Sequence, residues 1–313
     1  MLTPPEGVAD ADVLAAARWH WLDGALTAVH LPVGFGAHHW EVADDAGRRL
    51  FATLDALGER HSAESLEGAY AGAAALARAG LRAVWPSIPA SSGTYTVPFG
   101  DGSPRPGRLS ATGWLEGRTP TEAEAAAPGH VDEVLAVLEV LHGHPPPRGI
   151  PEWAPRVAAD FPRRLRERAA DPWTRGPFGE EARRAIVERL PDVERWTRRY
   201  LVLAEEAHRN RGDWVATHGE PHSANQVVTP DGLRLVDWES LALAPRERDL
   251  VDAVDSGAAT ADAVGAREQM LELFRLDWRL SEIDAYAAWF SGSHGRSGDD
   301  RTALGGLHEE LRA

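Results

Sequence analysis

The sequence predicts an α+β fold of two lobes, a small β-rich N-lobe and a larger helical C-lobe. Three observations carry this. Short alternating apolar runs broken by Gly, Pro and Asp fill the first third. Helical spacing fills most of the rest, and the character changes after Gly113-Trp114-Leu115-Glu116-Gly117. The lobes are therefore placed at 1–112 and 113–313, and 313 residues are ample to bury a core.

In chain order, Asp12 to Leu22 has amphipathic spacing with Asp10 or Asp12 as N-cap. Leu26 to Leu31 alternates as a strand, Pro32-Val33-Gly34-Phe35-Gly36 interrupts it, and His39 to Ala43 resumes. Asp44-Asp45-Ala46-Gly47 reads as a turn before a third strand at Arg49 to Leu54. Ala63 to Ala79 is alanine-rich and helical, stopped by Gly80. Strands at Thr94 to Phe99 and Arg108 to Thr112 flank the turn-rich Gly100-Asp101-Gly102-Ser103-Pro104. Helices are expected at 131–141, 157–169, 180–188, 193–210, 261–276 and 281–290, with short strands near 214–217 and 233–236.

Composition narrows the function. The 43% apolar and 26% charged content is that of an ordinary globular protein. No apolar run approaches the ~20 residues of a membrane span, and Met1 to Glu6 lacks the blocks of a signal peptide. A cytoplasmic location is the expectation. With no cysteine, disulfides, thiolate metal sites and cysteine nucleophiles are excluded. A net charge of −15 argues against nucleic acid and suits either solubility or a cationic substrate. All 33 basic residues are arginine, so no lysine can contact phosphate or form a Schiff base.

The chemistry concentrates in His218-Gly219-Glu220-Pro221-His222-Ser223-Ala224-Asn225 and Leu235-Val236-Asp237-Trp238-Glu239. An acid, an amide and a second acid at short intervals are what phosphoryl transfer from a nucleotide requires. One carboxylate orients a hydroxyl, and an oxygen pair holds Mg2+. His218 and His222 are four apart, as in a metallohydrolase helix, but Gly219 and Pro221 forbid that helix. Neither a Gly-x-Ser-x-Gly elbow nor a Gly-x4-Gly-Lys-Ser/Thr loop is present.

These segments resemble the aminoglycoside phosphotransferase and choline kinase-like family, small-molecule kinases of the protein-kinase-like fold. The family's loop reads His-Gly-Asp, four residues, Asn, then an Asp at the end of the next strand. Glu220, Asn225 and Asp237 fall at those intervals. The likeness extends to Leu243-Ala244-Pro245-Arg246-Glu247-Arg248-Asp249-Leu250, Trp114 to Gly117, and Leu141-His142. It implies a bilobal protein-kinase-like fold with 1–112 as nucleotide-binding lobe and 113–313 carrying the catalytic loop and substrate site. It further implies Glu220 as the group facing the substrate hydroxyl, Asn225 and Asp237 as Mg2+ ligands, and Asp249 as a brace for the loop. His218 is read as a brace as well. Gly34 and Gly36 would let backbone amides approach phosphate. Thr53 lies on the strand that bears the family's phosphate-binding lysine, and 111–115, including Trp114, would form the hinge that binds the base.

The implied reaction moves the γ-phosphoryl group of ATP or GTP to a hydroxyl of a small molecule, an antibiotic in a resistance or self-protection role. A metabolic kinase of an amino alcohol or sugar is the alternative, as is a catalytically inactive nucleotide-binding relative. Glu239, Asp277, Glu282 and Asp284 are candidate contacts for a cationic acceptor in the cleft facing Glu220. Two departures from the family stand out: Glu for Asp at 220, and no lysine at Thr53, with Glu64 and Glu67 near the start of the following helix. Arg48, Arg49 or another arginine could replace the charge, His38 and His39 with Mg2+ could suffice, or the chain could be inactive. The intact Glu, Asn and Asp set favours activity.

Overall fold

The computed structural model describes residues 1–58, 60–100 and 107–312. Helix α1 (Asp10–His20) is followed by strands β1 (Ala25–Leu31), β2 (His38–Asp44) and β3 (Arg49–Ala56), helix α2 (Ala63–Arg78), and strands β4 (Thr96–Phe99) and β5 (Gly107–Gly113). The strands form one antiparallel sheet in the order β1-β2-β3-β5-β4. Alternate residues Trp40 and Val42, Leu50 and Ala52, and Leu109 and Ala111 point to one face, where they bury against Val13 and Ala17 of α1. The α1 start differs in detail from the expectation: Ala9 is the N-cap, and Asp12 reaches back to its amide. From Asp101 onward the expected Gly100–Pro104 turn lies outside the described residues.

The chain continues through α3 (Glu122–Ala125), α4 (Pro128–Gly143), α5 (Phe161–Arg168) and α6 (Gly179–Arg209). Strand β6 (Val215–Thr217), the hairpin β7 (Gln226–Thr229) and β8 (Gly232–Leu235), and β9 (Ala242–Ala244) come next, then α7 (Val251–Asp255), α8 (Glu268–Ser291) and α9 (Gly298–Glu310). The result is α+β, with the five-stranded sheet in the N-terminal part and helices dominating the C-terminal part.

The chain divides into two compact units, Met1–Trp153 with Trp214–Val264, and Ala154–Asp213 with Gly265–Ala313. The sheet and the segment 218–239 both belong to the first. Within the second, α6 and α8 are the long packed pair. Two breaks expected in these helices do not occur. The 180–188 and 193–210 segments are one helix with Pro191 inside it. Interior proline costs about 3 kcal/mol, but Ile186, Leu190, Val193 and Tyr200 keep one buried stripe across the site. Likewise α8 runs unbroken through Ser281, whose hydroxyl bonds the Trp278 carbonyl, because Leu276, Leu280 and Ile283 stay in phase.

Candidate active site

Two strand pairs hold the loop ends together. Thr217 pairs with Ala242 and Gln226 with Leu235, so His218–Asn225 and Val236–Leu241 emerge side by side. The backbone then ties them directly, the Val236 amide donating to the Asn225 carbonyl at 3.0 Å. The Asn225 side-chain amide donates to the Glu220 carbonyl at 2.9 Å, so its side-chain oxygen is the end that could ligate a cation. Asp237 has φ 66°, the left-handed region that a non-glycine residue adopts at an energetic cost.

Buried groups set the loop's shape. His218 is fully buried and directs Nε2 at the Val236 carbonyl, 2.9 Å away. A carbonyl only accepts, so the proton sits on Nε2, and Nδ1 accepts from the Glu220 amide at 3.3 Å. Burial depresses the pKa of this imidazole and keeps it neutral. Asp249 accepts from the His218 amide at 2.9 Å, the Gly219 amide at 2.6 Å and His142 Nε2 at 2.9 Å. Burial alone would raise the Asp249 pKa, but the bonds and charge of His142, with the amide of Gly219, hold it below the usual carboxylate range. Gly219 has φ 97°, and a Cβ there would meet the Arg248 guanidinium, which itself donates to Thr217 Oγ1 and the Ser240 carbonyl.

The acids form a single electrostatic group. The pKa values of Asp237 and Glu239 are both raised, first by burial, and neighbouring carboxylates raise them further. Glu239 Oε2 is buried with no hydrogen-bond partner among the described residues. Ser240 Oγ lies 3.0 Å from both Glu220 Oε1 and Glu239 Oε1, so its one proton serves either carboxylate. Asp55 of β3 joins the group, its pKa pushed up to about 7 by burial and then by the charge of Glu239. Arg60 pairs with Glu220 and lowers Asp55, Asp237 and Glu239 through its charge.

Hard oxygen donors, one of them an orphaned buried carboxylate oxygen, suit Mg2+, which takes few protein ligands and completes its shell with water and phosphate. Among the described residues, no set of three or more His, Cys, Asp or Glu side chains is arranged to hold a metal alone. The donor set therefore fits a Mg2+ ion shared with a phosphate ligand.

Thr53 is buried on β3 and shares a 3.1 Å hydrogen bond with His39 Nδ1. Gly34 and Gly36 have φ 70° and 109°, and a Cβ on Gly34 would press on His39 Nε2 at 3.2 Å. Trp114 lies under the Arg49 guanidinium, 3.7 Å from ring centroid to Cζ, and its amide donates to the Arg49 carbonyl. In the expected hinge, the Ala111 carbonyl accepts from Ile88 and the Gly113 carbonyl from Trp85 Nε1. Arg48 is bound to Asp44 and Arg49 to Glu41 and Glu116.

Asp277, Glu282 and Asp284 lie on α8, in the unit that does not hold Glu220. Asp277 accepts from the Tyr200 hydroxyl and pairs with Arg156 at 3.4 Å; Asp284 pairs with Arg168 at 3.1 Å; Glu282 is hydrogen-bonded to Tyr286. Sequence reasoning missed Asp55 and Arg60. Asp55 was signalled by its period-two phase with Thr53, an acid on the face of an apolar strand opposite Leu50 and Ala52.

A five-stranded sheet in the N-terminal part, helices beyond it and a His-Gly-Glu loop facing an Asp after the next hairpin define a kinase-like phosphotransferase class. The chain belongs to the phosphotransferase enzyme family, whose model matches residues 27–287. A stretch of 100 residues is 39% identical to Protein StrN of Streptomyces griseus, and covers 32% of this chain and 30% of that protein. A spectinomycin phosphotransferase, APH(9)-Ia, in complex with ADP and spectinomycin is similar in fold. It has TM-score 0.70 and 12% identity, over 97% of this chain and 95% of that one. A microcompartment-associated aminopropanol kinase gives TM-score 0.61 and 17% identity over 96% and 94%.

Proposed function

We propose that this protein transfers the γ-phosphoryl group of ATP or GTP, with Mg2+, to a hydroxyl of a small molecule, and that the acceptor is an antibiotic. The observation that carries the reading is the coupling of Glu220 to Asn225 and Asp237 on one buried frame, braced by Asp249. Family membership supports it, and the ADP and spectinomycin of the similar structure support the choice of donor and acceptor class.

The chemistry then runs as follows. Glu220 orients the acceptor hydroxyl and takes its proton as the oxygen bonds to the γ-phosphorus. The bond from that phosphorus to the β–γ bridging oxygen breaks, and the nucleoside diphosphate leaves with the electron pair. Asn225 and Asp237 would hold the Mg2+, which when bound neutralises charge on the phosphate oxygens. Residues 1–112 would bind the nucleotide, with Gly34 and Gly36 near phosphate. Because the polar backbone groups at 111, 113 and 114 are engaged, the base would be met from the Trp114 carbonyl onward. A cytoplasmic site of action is part of the same proposal.

A metabolic kinase of an amino alcohol is the second reading, favoured by the fold likeness to an aminopropanol kinase and by the net charge of −15. The test incubates protein, Mg2+, ATP or GTP, and a pooled panel of antibiotics, amino alcohols and sugars, and reads products by mass spectrometry. One phosphoryl group gained on an antibiotic, and lost with a folded Glu220→Ala variant, is the expected result. A gain only on an amino alcohol or sugar moves the reading to metabolism. No gain with either nucleotide moves it to an inactive nucleotide-binding protein.

A further inference from the structure

We propose that Arg60 is the cation that meets the nucleotide's phosphates, exchanging its ion pair with Glu220 for phosphate oxygens when the nucleotide binds. The inference rests on the kinase reading above and names a residue that neither the sequence resemblance nor the family assigns.

The need for such a cation follows from the charges. Asp55, Glu220, Asp237 and Glu239 already crowd one another, since each raises the pKa of at least one of the others. A polyphosphate brought among them requires compensating positive charge beyond a metal ion. The chain contains no lysine. The face of β3 opposite Leu50 and Ala52 offers Thr53, held by His39, and Asp55, an acid. Arg48 and Arg49 stand at the opposite end of β3 and are bound to Asp44, Glu41 and Glu116.

Arg60 meets the requirement by position. It follows β3 by four residues, in the link to α2, and its Nη2 lies on Glu220 Oε1. Its side chain is 38% exposed whereas that of Glu220 is 12% exposed, so the guanidinium approaches the carboxylate from the solvent side. Arginine presents a planar fork matched to phosphate oxygens as well as to carboxylates, so one side chain can serve both partners. His222 also stands near Glu220, its Nε2 4.0 Å from Oε2. The exchange also has a consequence for the base. Arg60 and Ser240 both bond Oε1, and drawing Arg60 onto phosphate leaves that oxygen to Ser240 and the acceptor hydroxyl when the donor is in place.

The experiment measures binding of ATP, GTP and the two parent nucleosides by calorimetry, in wild type, Arg60→Ala, Arg60→Lys, Glu220→Gln and the Arg60→Ala/Glu220→Gln double variant. Thermal melts verify folding. Arg60→Ala should weaken triphosphate binding by about tenfold or more, the scale of one charge-assisted hydrogen bond, and leave the nucleoside unchanged. Arg60→Lys should recover part of the loss. Glu220→Gln should tighten triphosphate binding, and much less so when Arg60 is already alanine. An Arg60→Ala variant that loses nucleoside and triphosphate affinity in equal ratio, or neither, overturns the role of Arg60 alone. Wild-type protein that binds neither triphosphate overturns the kinase reading along with it.

Discussion

The Tyr70 hydroxyl of α2 donates to Asp55 Oδ2 of β3 across 2.7 Å. The contact joins helix to strand through a neutral donor and an acid rather than through a pair of opposite charges. Both groups are buried, and the Asp55 carboxyl titrates at about 7.

That value fixes a sign. A folded pKa above the unfolded 3.8 means the folded state binds more protons between pH 3.8 and about 7, so stability declines as pH rises through that window. Asp55→Asn keeps an acceptor for Tyr70 and cannot ionise. It should raise the melting temperature at pH 8 relative to wild type, and much less at pH 5. Melts at the two pH values check this, and an equal shift at both would contradict it.

Shortening the base tests the placement of Glu220. Glu220→Asp withdraws the carboxylate by one methylene from Arg60 and Ser240. Turnover should fall by about 10–100-fold, because ~1 Å of misplacement costs that order of rate. Initial rates on the identified acceptor decide it. Turnover equal to wild type would show that the loop adjusts to either acid.

Acid should weaken the first unit through His39. Burial first, then positive charge from the chain's amino end, His38 and His30, lowers its pKa from 6.5 to about 3. The unfolded chain therefore binds the extra proton between those values, and stability drops as pH falls below 6.5. His39→Gln should flatten that part of the stability profile measured by urea unfolding. An unchanged slope would place the acid sensitivity elsewhere.

Asp249 carries the loop. Asp249→Ala would orphan the amides of His218 and Gly219 and strand His142, for a loss of about 3–5 kcal/mol. Gly219→Ala should also destabilise, through a positive φ and a clash with Arg248. Denaturant midpoints measure both. An Asp249→Ala midpoint within error of wild type would mean the loop is held by its strand pairs alone.

Much of this was legible before any coordinates. Period-two alternation with glycine and aspartate turns placed β1, β2, β3 and β5 within a residue or two, and the spacing of Glu220, Asn225 and Asp237 singled out two segments that the strand pairs bring side by side. What was missed depends on contacts distant in sequence. The three-residue β9 has no pattern of its own and exists because it pairs with β6. Pro191 reads locally as a stop, and only burial on both sides carries the helix through it. Arg60 looks like any arginine after a turn, since nothing near it in sequence records Glu220, 160 residues away.

Glu67 has its own consequence. Its carboxylate accepts from the amides of Tyr95 and Thr96 and from the Thr96 hydroxyl, at 2.8–2.9 Å, which fastens α2 to the edge strand β4. In regulated protein kinases a helix glutamate engages or leaves a strand lysine as its helix swings, and that motion is an on–off control. In this chain Glu67 is bound to the sheet, and the sequence contains no lysine. These three bonds tie the start of α2 to the sheet edge, so any displacement of the helix away from the sheet would have to break all of them.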